Sequence, residues 1–117
     1  MHIQINADHN IEVHEALAAH LRGTVETTLE RFSDRITRVE MHLSDENADK
    51  SGQNDKRCLL EARIEGRSPM AVTHKAASLG QAVDGAANKL ARSIESALGR
   101  AARPAASADW TDSSEPQ

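Results

Sequence analysis

Two kinds of hydrophobic spacing follow one another along this chain, and their order limits the folds it can adopt. The segments from Ile36 to Leu43 and from Arg57 to Glu65 alternate apolar and polar residues, which is typical of strands with one buried face. Apolar residues recur every three or four positions over 12–32 and again over 78–103, which predicts two amphipathic helices. The fold therefore has to bury two helical stripes against one face of a sheet.

Two shorter alternating segments complete the predicted sheet. One runs from His2 to Asn6 before the first helix, and the other runs from Met70 to Lys75 before the second helix. The resulting order is β-α-β-β-β-α. Because every strand alternates, one face of the sheet is expected to stay in water while the helices cover the other face. We predict an α+β fold with a four-stranded, mostly antiparallel sheet and two helices packed on one face.

The remaining segments are polar and set the expected limits of the domain. The run from Ser44 to Lys56 separates two strand patterns and predicts a long hairpin loop. Pro104 ends the second helical pattern, and the residues beyond it offer little apolar surface to bury. With 117 residues the chain has room for one core. We expect a single domain over 1–103 and a disordered acidic tail over 104–117.

Several classes of protein are disfavoured by what the sequence contains. The single cysteine, Cys58, has no partner for an internal disulfide, and neither a bilayer-spanning apolar run nor a secretory leader pattern occurs. We therefore expect a cytoplasmic protein. No phosphate-binding loop or nucleophile motif is present, and the six histidines are spread over several predicted elements, with no pair at the close spacing of a zinc site. We predict no enzyme activity, no metal site, no cofactor and no small-molecule substrate.

The second helix separates its charges around the helical axis. At 100° per residue, one side carries four basic residues, Lys89, Arg92, Arg100 and Arg103, whereas Asp84 and Glu95 lie on the opposite flank. Such a face is commonly just solvated, with cations favoured near the C-terminal end by the helix dipole. The alternative is a ridge of positive potential that binds a phosphate backbone. Spacing alone leaves both interpretations open.

Three segments together resemble the ribosome hibernation promoting factor and ribosome-associated inhibitor family, also called sigma-54 modulation proteins. The first is NIEVHEAL at 10–17, which is similar to the family's entry into its first helix. The second is RFSDRI at 31–36 with VEMHLS at 39–44, which resembles the helix-to-strand join. The third is AVD at 82–84 followed by Lys89, Leu90 and Arg92, which resembles the closing helix. The resemblance covers about residues 2–103.

The resemblance implies a partner and a set of contact residues. Family members bind the small ribosomal subunit in the channel of transfer and messenger RNA, which inhibits translation and stabilises idle ribosomes under stress. No cofactor is implied. By position, the resemblance assigns contacts with ribosomal RNA to five basic residues: Lys75, Lys89, Arg92, Arg100 and Arg103. The chain is similar to the short forms of the family, without a dimerisation domain, and is expected to be monomeric off the ribosome.

The first helix differs from the family pattern and motivates a second hypothesis. Where the family carries basic residues along this helix, the chain has Glu26, Thr27, Thr28 and Glu30. A protein-interaction or regulatory adaptor that kept the fold without ribosome binding would use this acidic helix, or the mixed sheet face, to bind a protein. That sheet face carries four charged residues, Arg38, Glu40, Glu61 and Arg63.

Overall fold

The computed structural model describes residues 1–9, 11–46 and 56–102, with side chains described through residue 99. A short 3-10 helix follows the first α-helix, and the remaining elements follow the predicted order. In chain order they are β1 (His2–Ala7), α1 (Glu15–Thr28), the 3-10 helix (Glu30–Phe32), β2 (Ile36–Asp45), β3 (Lys56–Ile64), β4 (Met70–Ala76) and α2 (Leu79–Ala102). The predicted α+β class is confirmed.

The four strands form one sheet in the order β1-β2-β3-β4. β1 and β2 pair in parallel, whereas β2 with β3 and β3 with β4 pair antiparallel. The parallel pair arises because α1 lies between β1 and β2 and carries the chain back across the sheet, as a parallel crossover requires. The prediction of a mostly antiparallel sheet is therefore confirmed, and β4 forms one free edge.

The core lies between the helices and one face of the sheet. α2 packs on β3 and β4, and α1 packs beside α2. The fully buried side chains come from every layer: Leu21, Val25 and Leu29 near α1, Val39, Met41, Leu60 and Cys58 in the sheet, and Val83, Leu90 and Ile94 in α2. The burial of alternate sheet residues and of one helical stripe is what the two spacings predict.

The first helix is shorter than its hydrophobic pattern. It begins at Glu15 instead of residue 12, because the Nδ1 atom of His14 accepts a hydrogen bond of 3.4 Å from the backbone N–H of Leu17 and caps the helix there. It ends at Thr28, and the chain then tightens into the 3-10 helix. Gly23 lies inside the helix without interrupting it.

Of the strands on either side of the predicted hairpin loop, β2 is two residues longer than its pattern and β3 begins and ends one residue earlier. Asp45 ends β2 opposite Lys56 at the start of β3, and their side chains form a salt bridge of 3.2 Å. The predicted loop therefore loses residues at both ends, and its centre at 47–55 lies outside the described residues. The turn between β3 and β4 contains Gly66 at a φ of 77°, a conformation that glycine adopts without steric cost.

The described residues contain no helix that is both long enough and apolar enough to cross a membrane. The predicted acidic tail at 104–117 lies outside the described residues and stays a prediction.

Candidate nucleic-acid interface

The exposed side of α2 carries two of the predicted contact residues in positions that solvent reaches. Lys89 and Arg92 are both exposed, while Leu90 and Ile94 on the inner side of the same helix are completely buried. Arg100 lies farther along α2, beyond the last described side chain, and Arg103 lies outside the described residues. The helix therefore presents Lys89 and Arg92 outward because its apolar stripe is held against the sheet.

The ammonium group of Lys89 contacts the free edge of the sheet. Its Nζ atom donates a hydrogen bond of 2.9 Å to the backbone carbonyl of Thr73 in β4. An ammonium group has three donors, so two remain for other acceptors. The contact fixes a positive charge at the edge of β4 and covers part of an edge that other strands could pair with.

A close approach between β4 and α2 sets the position of this charged side. The imidazole of His74 lies against Gly85, so that a Cβ atom added at Gly85 would lie only 2.6 Å from the Cγ atom of His74. Residue 85 falls on the same side of α2 as Lys89 and Arg92 in the helical projection. Glycine thus lets the basic side of α2 come close to β4.

Lys75 lies on a different surface from the helix residues. Its cross-strand partner is Arg57, and both side chains project from the open face of the sheet because they alternate with the buried Ala76 and Cys58. The structure therefore separates Lys75 from the two described contact residues of α2. Lys89 and Arg92 lie on α2, while Lys75 lies on the opposite side of β4.

Glu46 neutralises part of the charge around Lys75. A carboxylate oxygen of Glu46 is 2.8 Å from Lys75 Nζ, and the other is 3.6 Å from Arg57 Nε. The hydrogen bond from Lys75 lowers the pKa of Glu46 below its usual value, with the charge of Lys75 and then that of Arg57 acting in the same direction. A phosphate that binds Lys75 has to compete with this carboxylate.

Arg57 lies beside Lys75 and Glu46, although the sequence gave no reason to select it as a contact residue. The alternation of β3 indicates that Arg57 lies on the same face as Glu61 and Arg63. Its position opposite Lys75 depends on the register between β3 and β4. Strand register was the missing information.

The opposite flank of α2 faces the first half of the chain. Glu95 pairs with Arg31 of the 3-10 helix at 3.1 Å, and the guanidinium of Arg31 lies 4.7 Å from the centre of the Phe32 ring. Both charged side chains are more than half exposed, so the pair contributes little to stability. Its value is positional, because it keeps the carboxylate of Glu95 away from the side that carries Lys89.

The acidic side of α1, which includes Glu12 before the helix and Glu30 in the 3-10 helix after it, is also exposed. Four glutamates, Glu12, Glu15, Glu26 and Glu30, are open to solvent. Two of them line a shallow depression together with Met1, Thr27 and Ser33. This surface repels phosphate, so α1 does not extend the positive side of α2.

One cluster of potential metal ligands occurs among the described residues. The structure brings together Glu40, His42 and Glu61 on the open face of the sheet, although the scattered histidines gave no sign of a site. Alternation puts all three on that face, whereas their proximity depends on the pairing of β2 with β3.

A family model described as Sigma 54 modulation protein / S30EA ribosomal protein matches residues 3–101. Solved structures have the same fold. The N-terminal domain of Protein Y from Thermus thermophilus superposes with a TM-score of 0.66 at 19% sequence identity, covering 82% of this chain and 98% of that one. A ribosomal subunit interface protein from Coxiella burnetii gives 0.64 at 19% identity, with 85% and 99% covered. A sequence search of curated proteins found no match.

Proposed function

Because the chain belongs to the Sigma 54 modulation protein / S30EA ribosomal protein family, we propose that it binds the small ribosomal subunit through ribosomal RNA. The binding site lies near the channel of transfer and messenger RNA, where the bound protein inhibits translation and stabilises idle ribosomes under stress. The protein works in the cytoplasm with the ribosomes. This function needs binding alone, without a reaction or a cofactor.

The observation that carries the proposal is the isolated positive side of α2 at the edge of β4. Lys89 and Arg92 are exposed there, and Glu95 is held on the other flank by Arg31. Arg92 forms no ion pair with another residue of 1–9, 11–46 or 56–102. Its five N–H donors are therefore available for phosphate oxygens, which a guanidinium can contact in pairs.

The basic side of α2 and the charged residues around Lys75 support an RNA backbone that passes along β4. Lys89 lies at the free edge, and Lys75 projects from the sheet face of the same strand. An RNA strand that follows this edge contacts the basic side of α2. It contacts Lys75 as well once a phosphate has displaced Glu46. The family resemblance adds Arg100 and Arg103 to the proposed contact.

Sucrose-gradient sedimentation with purified small subunits tests the proposal. The wild-type protein should migrate with the subunit at low salt and dissociate as the salt concentration rises, because counterions compete for phosphate. Arg92→Glu and Arg100→Glu should each weaken binding. Loss of one phosphate contact should reduce the slope of log K against log salt by about one unit.

Glu26→Lys on α1 and Glu30→Lys on the 3-10 helix that follows it provide matched controls on the acidic side of α1. They also reverse the charge of exposed glutamates, and they should not weaken binding. If the wild-type protein stays at the top of the gradient even at low salt, the ribosomal proposal is wrong. If binding is lost in the α1 variants but kept in the α2 variants, the acidic side of α1 is the contact surface and the basic side of α2 is not. The adaptor hypothesis instead predicts no binding to the small subunit.

A further inference from the structure

The open face of the sheet contains a charge arrangement that the ribosomal proposal does not use. Glu40 of β2 lies directly opposite Glu61 of β3. His42 is two residues beyond Glu40 and therefore projects from the same face. One ligand atom from each of the three side chains lies within 4.8 Å of the other two. The sheet thus places an imidazole and two carboxylates around one point.

The spacing within this group suits a small divalent ion. The Nε2 atom of His42 is 3.4 Å from Glu40 Oε1. Two ligands of a tetrahedral zinc ion, at bond lengths of about 2.0–2.1 Å, are separated by about 3.4 Å. The carboxylate of Glu61 is near enough to complete a third bond by side-chain rotation. All three residues are partly exposed, so water can fill the remaining coordination positions.

A neighbouring arginine orients one of the carboxylates. Arg38 Nε donates to Glu40 Oε2 at 3.0 Å, which leaves Oε1 directed toward His42. A second group that holds a ligand in this way is common around protein metal sites. The two oxygens of Glu40 therefore have separate partners, and binding of an ion at Oε1 leaves the contact with Arg38 in place.

The charge of Glu61 is not balanced by any contact among residues 1–9, 11–46 and 56–102. It forms no ion pair or hydrogen bond with another residue there, although it is partly buried and directly opposite Glu40. Like charges in directly opposed strand positions are destabilising. A divalent cation between the two carboxylates would remove this repulsion.

We propose that Glu40, His42 and Glu61 bind a divalent transition-metal ion of the Zn²⁺ class. The imidazole selects against Mg²⁺ and Ca²⁺, which prefer sites made entirely of oxygen ligands. The site lies on the sheet face opposite the helices and is therefore separate from the basic side of α2. Its existence does not depend on whether the protein binds ribosomes.

Isothermal titration of the full chain without an affinity tag, with Zn²⁺ as the probe, tests the site. We expect binding of one ion per chain, a loss of affinity of about tenfold or more in both His42→Ala and Glu61→Gln, and no binding of Mg²⁺ under the same conditions. Glu61→Gln keeps the shape of the side chain while removing its charge. The far-ultraviolet circular dichroism spectrum of each variant checks that the sheet is intact.

Two histidine variants serve as controls. His20→Ala removes an exposed imidazole of α1, and His2→Ala removes the one next to the chain terminus, so both should bind Zn²⁺ as the wild type does. A complementary readout is the side-chain NMR signal of His42, which should shift with one equivalent of Zn²⁺. The proposal is wrong if no Zn²⁺ binds, or if His42→Ala and Glu61→Gln bind it as tightly as the wild-type protein.

Discussion

Replacing Gly85 by alanine tests whether close packing between β4 and α2 limits the position of the basic side of the helix. In an open helix position, alanine stabilises relative to glycine by about 1 kcal/mol. At Gly85 the added Cβ would meet the imidazole of His74, 2.6 Å from its Cγ atom. Extra atoms in a packed site cost about 1–3 kcal/mol. The net effect should range from neutral to a loss of about 2 kcal/mol.

Gly23→Ala is the matched control, because a Cβ at Gly23 of α1 has nothing within 4 Å. This substitution should raise the free energy of unfolding by up to about 1 kcal/mol. The two alanine variants should thus differ by about 1–3 kcal/mol, or several degrees in Tm for a domain of this size. Urea unfolding followed by circular dichroism measures the free energy of unfolding of each variant.

A double-mutant cycle with His74→Ala identifies the cause. In the His74→Ala background the space beside Gly85 is empty, so Gly85→Ala should stabilise the protein about as much as Gly23→Ala does. The coupling energy between positions 74 and 85 should be about 1–3 kcal/mol. If Gly85→Ala stabilises the wild-type protein as much as Gly23→Ala does, the ring moves aside without cost and the packing argument is refuted.

Three further predictions concern other parts of the molecule. Glu46→Gln should strengthen RNA binding at low salt, measured by sedimentation, because it frees Lys75; an unchanged affinity would show that Lys75 makes no RNA contact. Because the pKa of Glu46 is lowered, its ionised form contributes stability. This contribution is present above the ordinary pKa of 4.5 and is lost as the pH falls through the lowered pKa. The difference in Tm between the wild-type protein and Glu46→Gln should therefore disappear in acid. Burial raises the pKa of the Cys58 thiol to about 12, so a thiol reagent at pH 8 should label the native protein slowly and the urea-unfolded chain at once, and equal rates would contradict its burial.

The sequence predicts most of the fold because burial alone determines its two spacings. Alternation over 36–43 and 57–65 marks the side chains that meet the helices. The start of α1 was displaced by three residues because the capping side chain is His14, a residue type that is uncommon as an N-cap. The outline of the fold follows from hydrophobic pattern, whereas its exact limits follow from single hydrogen bonds.

The candidate sites were harder to predict because they depend on pairing between strands. Sequence indicates that Glu40, His42 and Glu61 share a sheet face, yet only the register of β2 with β3 makes them neighbours. Alternation along β4 puts Lys75 on the face away from α2, which separates it from Lys89, but its position beside Arg57 again depends on strand register. The connection between β2 and β3 is long and polar, so turn chemistry does not fix that register.

An acidic protein can bind RNA through one basic surface if its charges are segregated on the scale of ionic screening. The net charge of the chain is −4, but at physiological ionic strength charges separated by more than about 8 Å are largely screened. A phosphate that contacts Lys89 and Arg92 lies well within this distance of both cations. The acidic side of α1 repels phosphate, so it disfavours an orientation in which α1 faces the RNA. The proposed binding thus relies on α2 for attraction and on α1 for orientation, and the Glu95–Arg31 pair lies where the two regions meet.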